Sequence, residues 1–107
     1  MDIQLLGIGE NGHIGFNEPR TPWFSETHVT HLAVGTLQVN AQYFHESSIQ
    51  IPEQAVTMGI QTILRAKRVI LIATGLKKAD AIRDSLRELS THFPASALRF
   101  HPNVDFY

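Results

Sequence analysis

A short apolar stretch, Ile3 to Leu6, runs straight into Gly7-Ile8-Gly9-Glu10-Asn11-Gly12-His13-Ile14-Gly15-Phe16-Asn17-Glu18-Pro19, which sets four glycines among polar side chains. A strand that breaks into glycines leaves few architectures open. Apolar character over so few residues is the pattern of a parallel strand covered on both faces, and open α/β sheets place their ligands where such a strand turns. Glycine suits that turn because it accepts positive φ and the close approach of another group. We read Ile3 to Ile8 as a strand and the glycine run as a site built on the turn that follows.

Within the run, only His13 has an unperturbed pKa of about 6.5, so it can exchange a proton near neutral pH. Glu18 is close enough in sequence to orient that imidazole and stabilise its charged form, while Asn11 offers either a donor or an acceptor. Together they have the composition of a proton-transfer set. Spacing alone leaves two readings, a catalyst and the commoner hydrogen-bonded structural histidine.

A second strand-turn-helix follows later. Val69 to Ala73 is a run of β-branched and aliphatic residues suited to a central parallel strand, and Gly75 turns it. Leu76 to Leu89 then repeats apolar residues at Ala79, Ile82, Leu86 and Leu89, with Asp80 and Arg83, and Asp84 and Arg87, spaced for surface pairs. Lys77 and Lys78 fall in its first turn, where they oppose the helix dipole. Either they are solvated surface groups, or the free N–H groups and an ammonium await an anion there.

The remaining segments complete an α/β pattern. Pro19 to Glu26, with Trp23, reads as a loop over the site, His28 to Val34 as a short strand, and Thr36 to Phe44 as a helix capped by Thr36. Pro52 marks a turn before Val56 to Met58; Gly59 to Ala66 reads as a helix burying Ile60, Ile63 and Leu64; Val104 to Tyr107 starts one more strand. At 107 residues and 43% hydrophobic content, the chain accommodates one domain, residues 1–107, and no more. A net charge of −1 gives no basic field for a polyanion, so nucleic acid is not an expected partner. The chain has no cysteine, which excludes disulfide and thiol chemistry, and no apolar run of membrane-spanning length, so a cytoplasmic location without membrane contact is expected. His28, His31, His45, His92 and His101 show no metal-ligand spacing, so neither metal nor cofactor is expected; Trp23 and Tyr43-Phe44 read as packing groups.

The run from Leu6 to Pro19 resembles the signature of the glucosamine-6-phosphate deaminase (isomerase) family. Thr27-His28-Val29, Val39-Asn40-Ala41-Gln42-Tyr43-Phe44, Ile51 to Gly59, Val69 to Lys78 and His101-Pro102-Asn103 follow in the family's order, so the resemblance covers essentially the whole chain. It implies an open, mostly parallel, Rossmann-like sheet flanked by helices in three layers. It also implies conversion of an aminosugar 6-phosphate to fructose 6-phosphate and ammonia, in the cytoplasm and in a homo-oligomer. By the same resemblance, His13 matches the ring-opening acid/base, Glu18 and Asn11 the residues that accompany it, and Lys78 a ligand of the substrate phosphate; Gly12 and Gln42 fall at substrate-binding positions.

Two departures follow from the comparison with the family's pattern. Gln42 stands where the family has a phosphate-binding arginine, and losing a guanidinium removes a charge and a bidentate fork. The family's Gly-rich phosphate loop and its aspartate base have no counterpart in the sequence, which reads as roughly the second half of such an enzyme, inactive as a deaminase alone and with apolar edges that invite association. Two other readings stand beside this one: a 6-phosphogluconolactonase-like hydrolase, against which Phe16-Asn17-Glu18-Pro19 argues, and a non-catalytic sugar-phosphate-binding chain.

Overall fold

The computed structural model describes residues 1–32 and 53–107. Among these, three parallel strands form one sheet in the order β1 (Ile3–Leu6), β4 (Arg68–Leu71), β5 (Val104–Phe106). Two more, β2 (His28–His31) and β3 (Gln54–Thr57), pair antiparallel. The helices are α1 (Ile60–Leu64) and α2 (Ala79–Arg87), with 3₁₀ segments at Leu76–Lys78 and Pro94–Phe100. The mixed α/β class with a mostly parallel sheet is as the sequence implies. The helix expected over Thr36 to Phe44, the turn at Pro52, and Gln42, Tyr43, Phe44 and His45 lie outside the described residues.

β4 is central, as its β-branched and aliphatic composition requires, with Leu6 opposite Leu71 on one side and Val69 opposite Val104 on the other. The period of two sends Val69 and Leu71 inward, where they are fully buried with Leu6, Ile8, Ile14, Ile63, Ala81 and Leu98. The opposite face differs from the expectation of a strand covered on both sides. Ile3, Leu5 and Ile72 point to that face and remain 58%, 61% and 46% exposed. Arg68 and Asp105 pair across β4 and β5 through two hydrogen bonds of 3.0 and 2.6 Å.

Several elements are shorter than the sequence suggests. β1 ends at Leu6 because Gly9 N–H turns back to the carbonyl of His13 (2.9 Å), which commits Gly7 and Ile8 to the turn. α1 ends at Leu64 because Ala66 N–H bonds the carbonyl of Ile63, three residues back, tightening its last turn. α2 begins only at Ala79, after the 3₁₀ turn, and buries Ala81 and Ser85; Leu86 and Leu89 stay about half exposed. Two small residues one turn apart let this helix lie close on Pro94–Phe100. Arg83 pairs with Asp80, as spacing suggested, and also takes Asp84, which does not reach Arg87. Trp23 packs edge-to-face on Phe100, with ring centroids 5.9 Å apart.

His101 acts within this framework. Its Nε2 donates to the carbonyl of Ala66 (2.5 Å) and its Nδ1 accepts from Asn103 N–H (2.9 Å), joining the end of α1 to the entry of β5. His28 lies against the carbonyl of Glu26, and His31 beside the Gln54 amide.

Candidate active site

The turn after β1 is closed by its own backbone. Gly9 N–H donates to the carbonyl of His13, and Gly12 N–H donates to that of Gly9 (3.0 Å). Gly12 has φ +87° and packs against Phe93, while its carbonyl accepts from Ala95 N–H (2.9 Å). This tethers the turn to the 3₁₀ segment beneath it. Gly9 is required for a different reason, because a Cβ there would overlap the imidazole of His13, which lies directly over it. The ring is thus seated on bare backbone.

Three side chains then form a chain of contacts. Glu18 Oε2 accepts from Asn11 Nδ2 (2.8 Å), and a carboxylate can only accept, so the Asn11 amide is oriented with its oxygen away from Glu18. That oxygen, Oδ1, accepts from His13 N–H (3.2 Å) and meets His13 Nδ1 at 2.7 Å. Nδ1 therefore carries the proton in the neutral ring, and Nε2 holds the lone pair. Among the described residues, Nε2 has no hydrogen-bond partner. Glu18 Oε2 also lies 3.6 Å from Nδ1, with the two side chains 22% (His13) and 13% (Glu18) exposed.

Burial holds the His13 imidazole below its ordinary value of 6.5; the Glu18 carboxylate opposes this, and the Lys78 ammonium adds to it. Lys78, at the junction of the 3₁₀ turn and α2, is thus brought into electrical contact with a histidine far away in sequence. Of the residues singled out in the sequence, His13, Glu18 and Asn11 are in direct contact, while Lys78 acts on His13 through its charge alone. Gly12 shapes the turn with both its backbone groups engaged. Among the described residues, no three His, Cys, Asp or Glu side chains gather as metal ligands would.

Two further residues, Asn17 and Thr57, carry no spacing signal of their own in the sequence, although both lie within the stretches that resemble the family. Asn17 is fully buried and donates from Nδ2 to the carbonyls of Ile14 (2.9 Å) and Met58 (2.8 Å). Thr57 Oγ1 accepts from Phe16 N–H (3.0 Å).

Residues 1–105 match the model of the glucosamine-6-phosphate isomerase and 6-phosphogluconolactonase family. The chain belongs to that family. Among curated relatives, the glucosamine-6-phosphate deaminase of Staphylococcus epidermidis is 54% identical over 108 residues, covering 100% of this chain and 44% of its own length. That of Staphylococcus aureus is 53% identical over 107 residues, covering 99% and 42%. A solved structure described as a monomeric glucosamine-6-phosphate deaminase superposes with a TM-score of 0.93 at 54% identity, over 99% of this chain and 44% of that one. The 6-phosphogluconolactonase of Trypanosoma cruzi, at 23% identity, covers 99% and 38% with a TM-score of 0.69 and shares the fold. This family member thus spans less than half the length of the relatives it matches.

Proposed function

We propose that this chain carries the ring-opening and phosphate-holding part of a glucosamine-6-phosphate deaminase, an enzyme that converts an aminosugar 6-phosphate to fructose 6-phosphate and ammonia. The observation that carries this reading is the Glu18–Asn11–His13 relay, which fixes the protonated nitrogen of the ring and leaves Nε2 without a partner among the described residues. Ring opening of a pyranose moves a proton from the anomeric hydroxyl to the ring oxygen as the C1–O5 bond breaks. Nε2 takes the first proton and returns it to the second site, acting as base and then as acid. While Nε2 is protonated, the charge on the ring is stabilised by Asn11 Oδ1 at 2.7 Å and the Glu18 carboxylate at 3.6 Å.

Lys78 holds the substrate phosphate in this reading, with a charge-assisted contact of the kind ammonium groups make with phosphate oxygens. Gly12 supports the turn beneath the sugar, and Gln42, without a guanidinium, brings an amide but no charge to the phosphate. The sugar phosphate is charged and confined to the cell interior, which supports a cytoplasmic setting. For self-association, the exposed Ile3, Leu5 and Ile72 speak in favour, and the monomeric state in the description of the 54%-identical structure speaks against. Sedimentation of the purified chain decides between them.

Calorimetric titration with glucosamine 6-phosphate tests the phosphate assignment. Lys78→Ala weakens binding by about tenfold or more, the size of one lost charged hydrogen bond, whereas Lys77→Ala leaves it within twofold. Equal losses in both variants refute the assignment. In any longer protein containing this stretch, release of ammonia as against hydrolysis of a 6-phosphogluconolactone separates the deaminase from the lactonase.

A further inference from the structure

His13 and Glu18 are joined by only four intervening residues, and those residues are held from outside the turn. Asn17 N–H bonds the carbonyl of Ile14 (3.0 Å), which makes residues 14–17 a tight turn with Gly15 at φ +57°. The hydroxyl of Thr57, the last residue of β3, accepts from Phe16 N–H (3.0 Å) and donates to the carbonyl of Met58 (3.2 Å). Asn17 Nδ2 reaches the same Met58 carbonyl at 2.8 Å and spans back to Ile14 at 2.9 Å. Thr57 and Asn17 are both buried, at 6% and 0% exposure, so none of these bonds is readily replaced by water. On the far side, Thr21 pins the carbonyl of Glu18 through its N–H (3.1 Å) and its hydroxyl (2.7 Å).

We propose that Thr57, acting with Asn17, is a positioning residue for ring opening: it clamps the 14–17 turn to the end of β3 and so sets the distance between the His13 imidazole and the Glu18 carboxylate. The assignment rests on the ring-opening role given to His13 above. It adds a link that the relay alone does not contain, from the β2–β3 hairpin to the spacing of the acid/base pair. Without the hydroxyl, the half-buried Phe16 N–H loses its partner against the buried Thr57 side chain, and the turn relieves this by moving. Glu18, the next residue but one, moves with it. Lys78 is the other charged group acting on His13, and it sits on a separate element that Thr57 does not touch.

The test compares Thr57→Val, which keeps the shape and removes the hydroxyl, with Thr57→Ser, which keeps the hydroxyl. The first readout is the titration midpoint of the His13 ring followed by NMR in the 107-residue chain, which needs no turnover. A displaced Glu18 no longer supports the charged ring, so the midpoint falls in Thr57→Val by about half a unit, a few-fold change in proton affinity, and returns in Thr57→Ser. The second readout is the rate of α/β anomer exchange of glucosamine 6-phosphate, which falls several-fold in Thr57→Val with the apparent KM unchanged and recovers in Thr57→Ser. Should Thr57→Val fail to fold, Thr57→Cys carries the same comparison, since a thiol fills the space but accepts poorly from an amide. A folded hydroxyl-free variant with the wild-type midpoint overturns the proposal, as does a midpoint that shifts equally in Thr57→Ser. If the wild-type chain exchanges no anomers while the midpoint still moves as stated, the functional reading fails and the positional one stands.

Discussion

Replacing Asn11 by aspartate puts a charge where the relay now has a neutral amide, and the geometry sets the size of the response. Asn11 Oδ1 is 2.7 Å from His13 Nδ1, and the carboxylate of Glu18, farther off at 3.6 Å, does not outweigh burial. Two unit charges about 4 Å apart at an effective dielectric of about 20 interact by about 4 kcal/mol, which corresponds to an upper bound of about 3 pKa units. The new carboxylate also loses the donor that Glu18 used at 2.8 Å, and two carboxylates so close share a proton over part of the pH range. That cancels part of the gain. For Asn11→Asp we expect the His13 midpoint to rise by about 1–2 units, within the span recorded for a histidine or carboxylate beside an opposite charge. NMR titration of the imidazole Cε1–H resonance measures it directly, and the pH at which anomer exchange is fastest moves up with it. A midpoint that stays put or falls means that Asn11 does not face Nδ1, and the relay is wrong.

Two further outcomes follow from the same geometry. Gly9→Ala drives the imidazole off its seat, so anomer exchange drops by about 10²–10⁴, the usual worth of a general acid/base, while thermal melts show the fold retained; unchanged exchange contradicts the close approach. Because burial lowers the His13 pKa in the fold, the unfolded chain takes up the proton first as pH falls through about 6.5, so this residue's contribution to stability is present above that pH and is lost as the pH falls below it. Urea unfolding at pH 5 and pH 8 therefore shows a smaller pH dependence in His13→Gln than in the wild type, and an identical pH dependence in the two rules out a lowered His13 pKa.

The parts of the molecule legible in the sequence are those where one local rule decides. Val69-Ile70-Leu71 reads as a central strand and the glycines after Leu6 as a turn; both are found there, with only the Val69 and Leu71 face of the strand buried. Along Leu76 to Leu89 the apolar period favours Leu86 and Leu89 for the buried face, whereas in α2 contact with Pro94–Phe100 selects the small Ala81 and Ser85. Tertiary packing overrode amphipathic pattern there. At the site, His13, Asn11 and Glu18 are separated by two and five residues, so sequence proximity alone suggested their contact, and the relay realises it. Thr57 could not be seen in this way. Its bond to Phe16 spans 41 residues and depends on how the β2–β3 hairpin returns to the first turn, which no spacing rule encodes.

The central claim is that His13 Nε2 opens the sugar ring, and anomer exchange isolates that step from every later one. Two-dimensional exchange NMR of glucosamine 6-phosphate at equilibrium, with catalytic amounts of the chain, gives the rate of interconversion of the α and β forms through the open aldehyde. The account predicts exchange well above the uncatalysed rate, reduced by about 10²–10⁴ in His13→Ala and rising with pH as the ring loses its proton. Exchange that is no faster with the chain than without it, or that survives intact in His13→Ala, contradicts the claim.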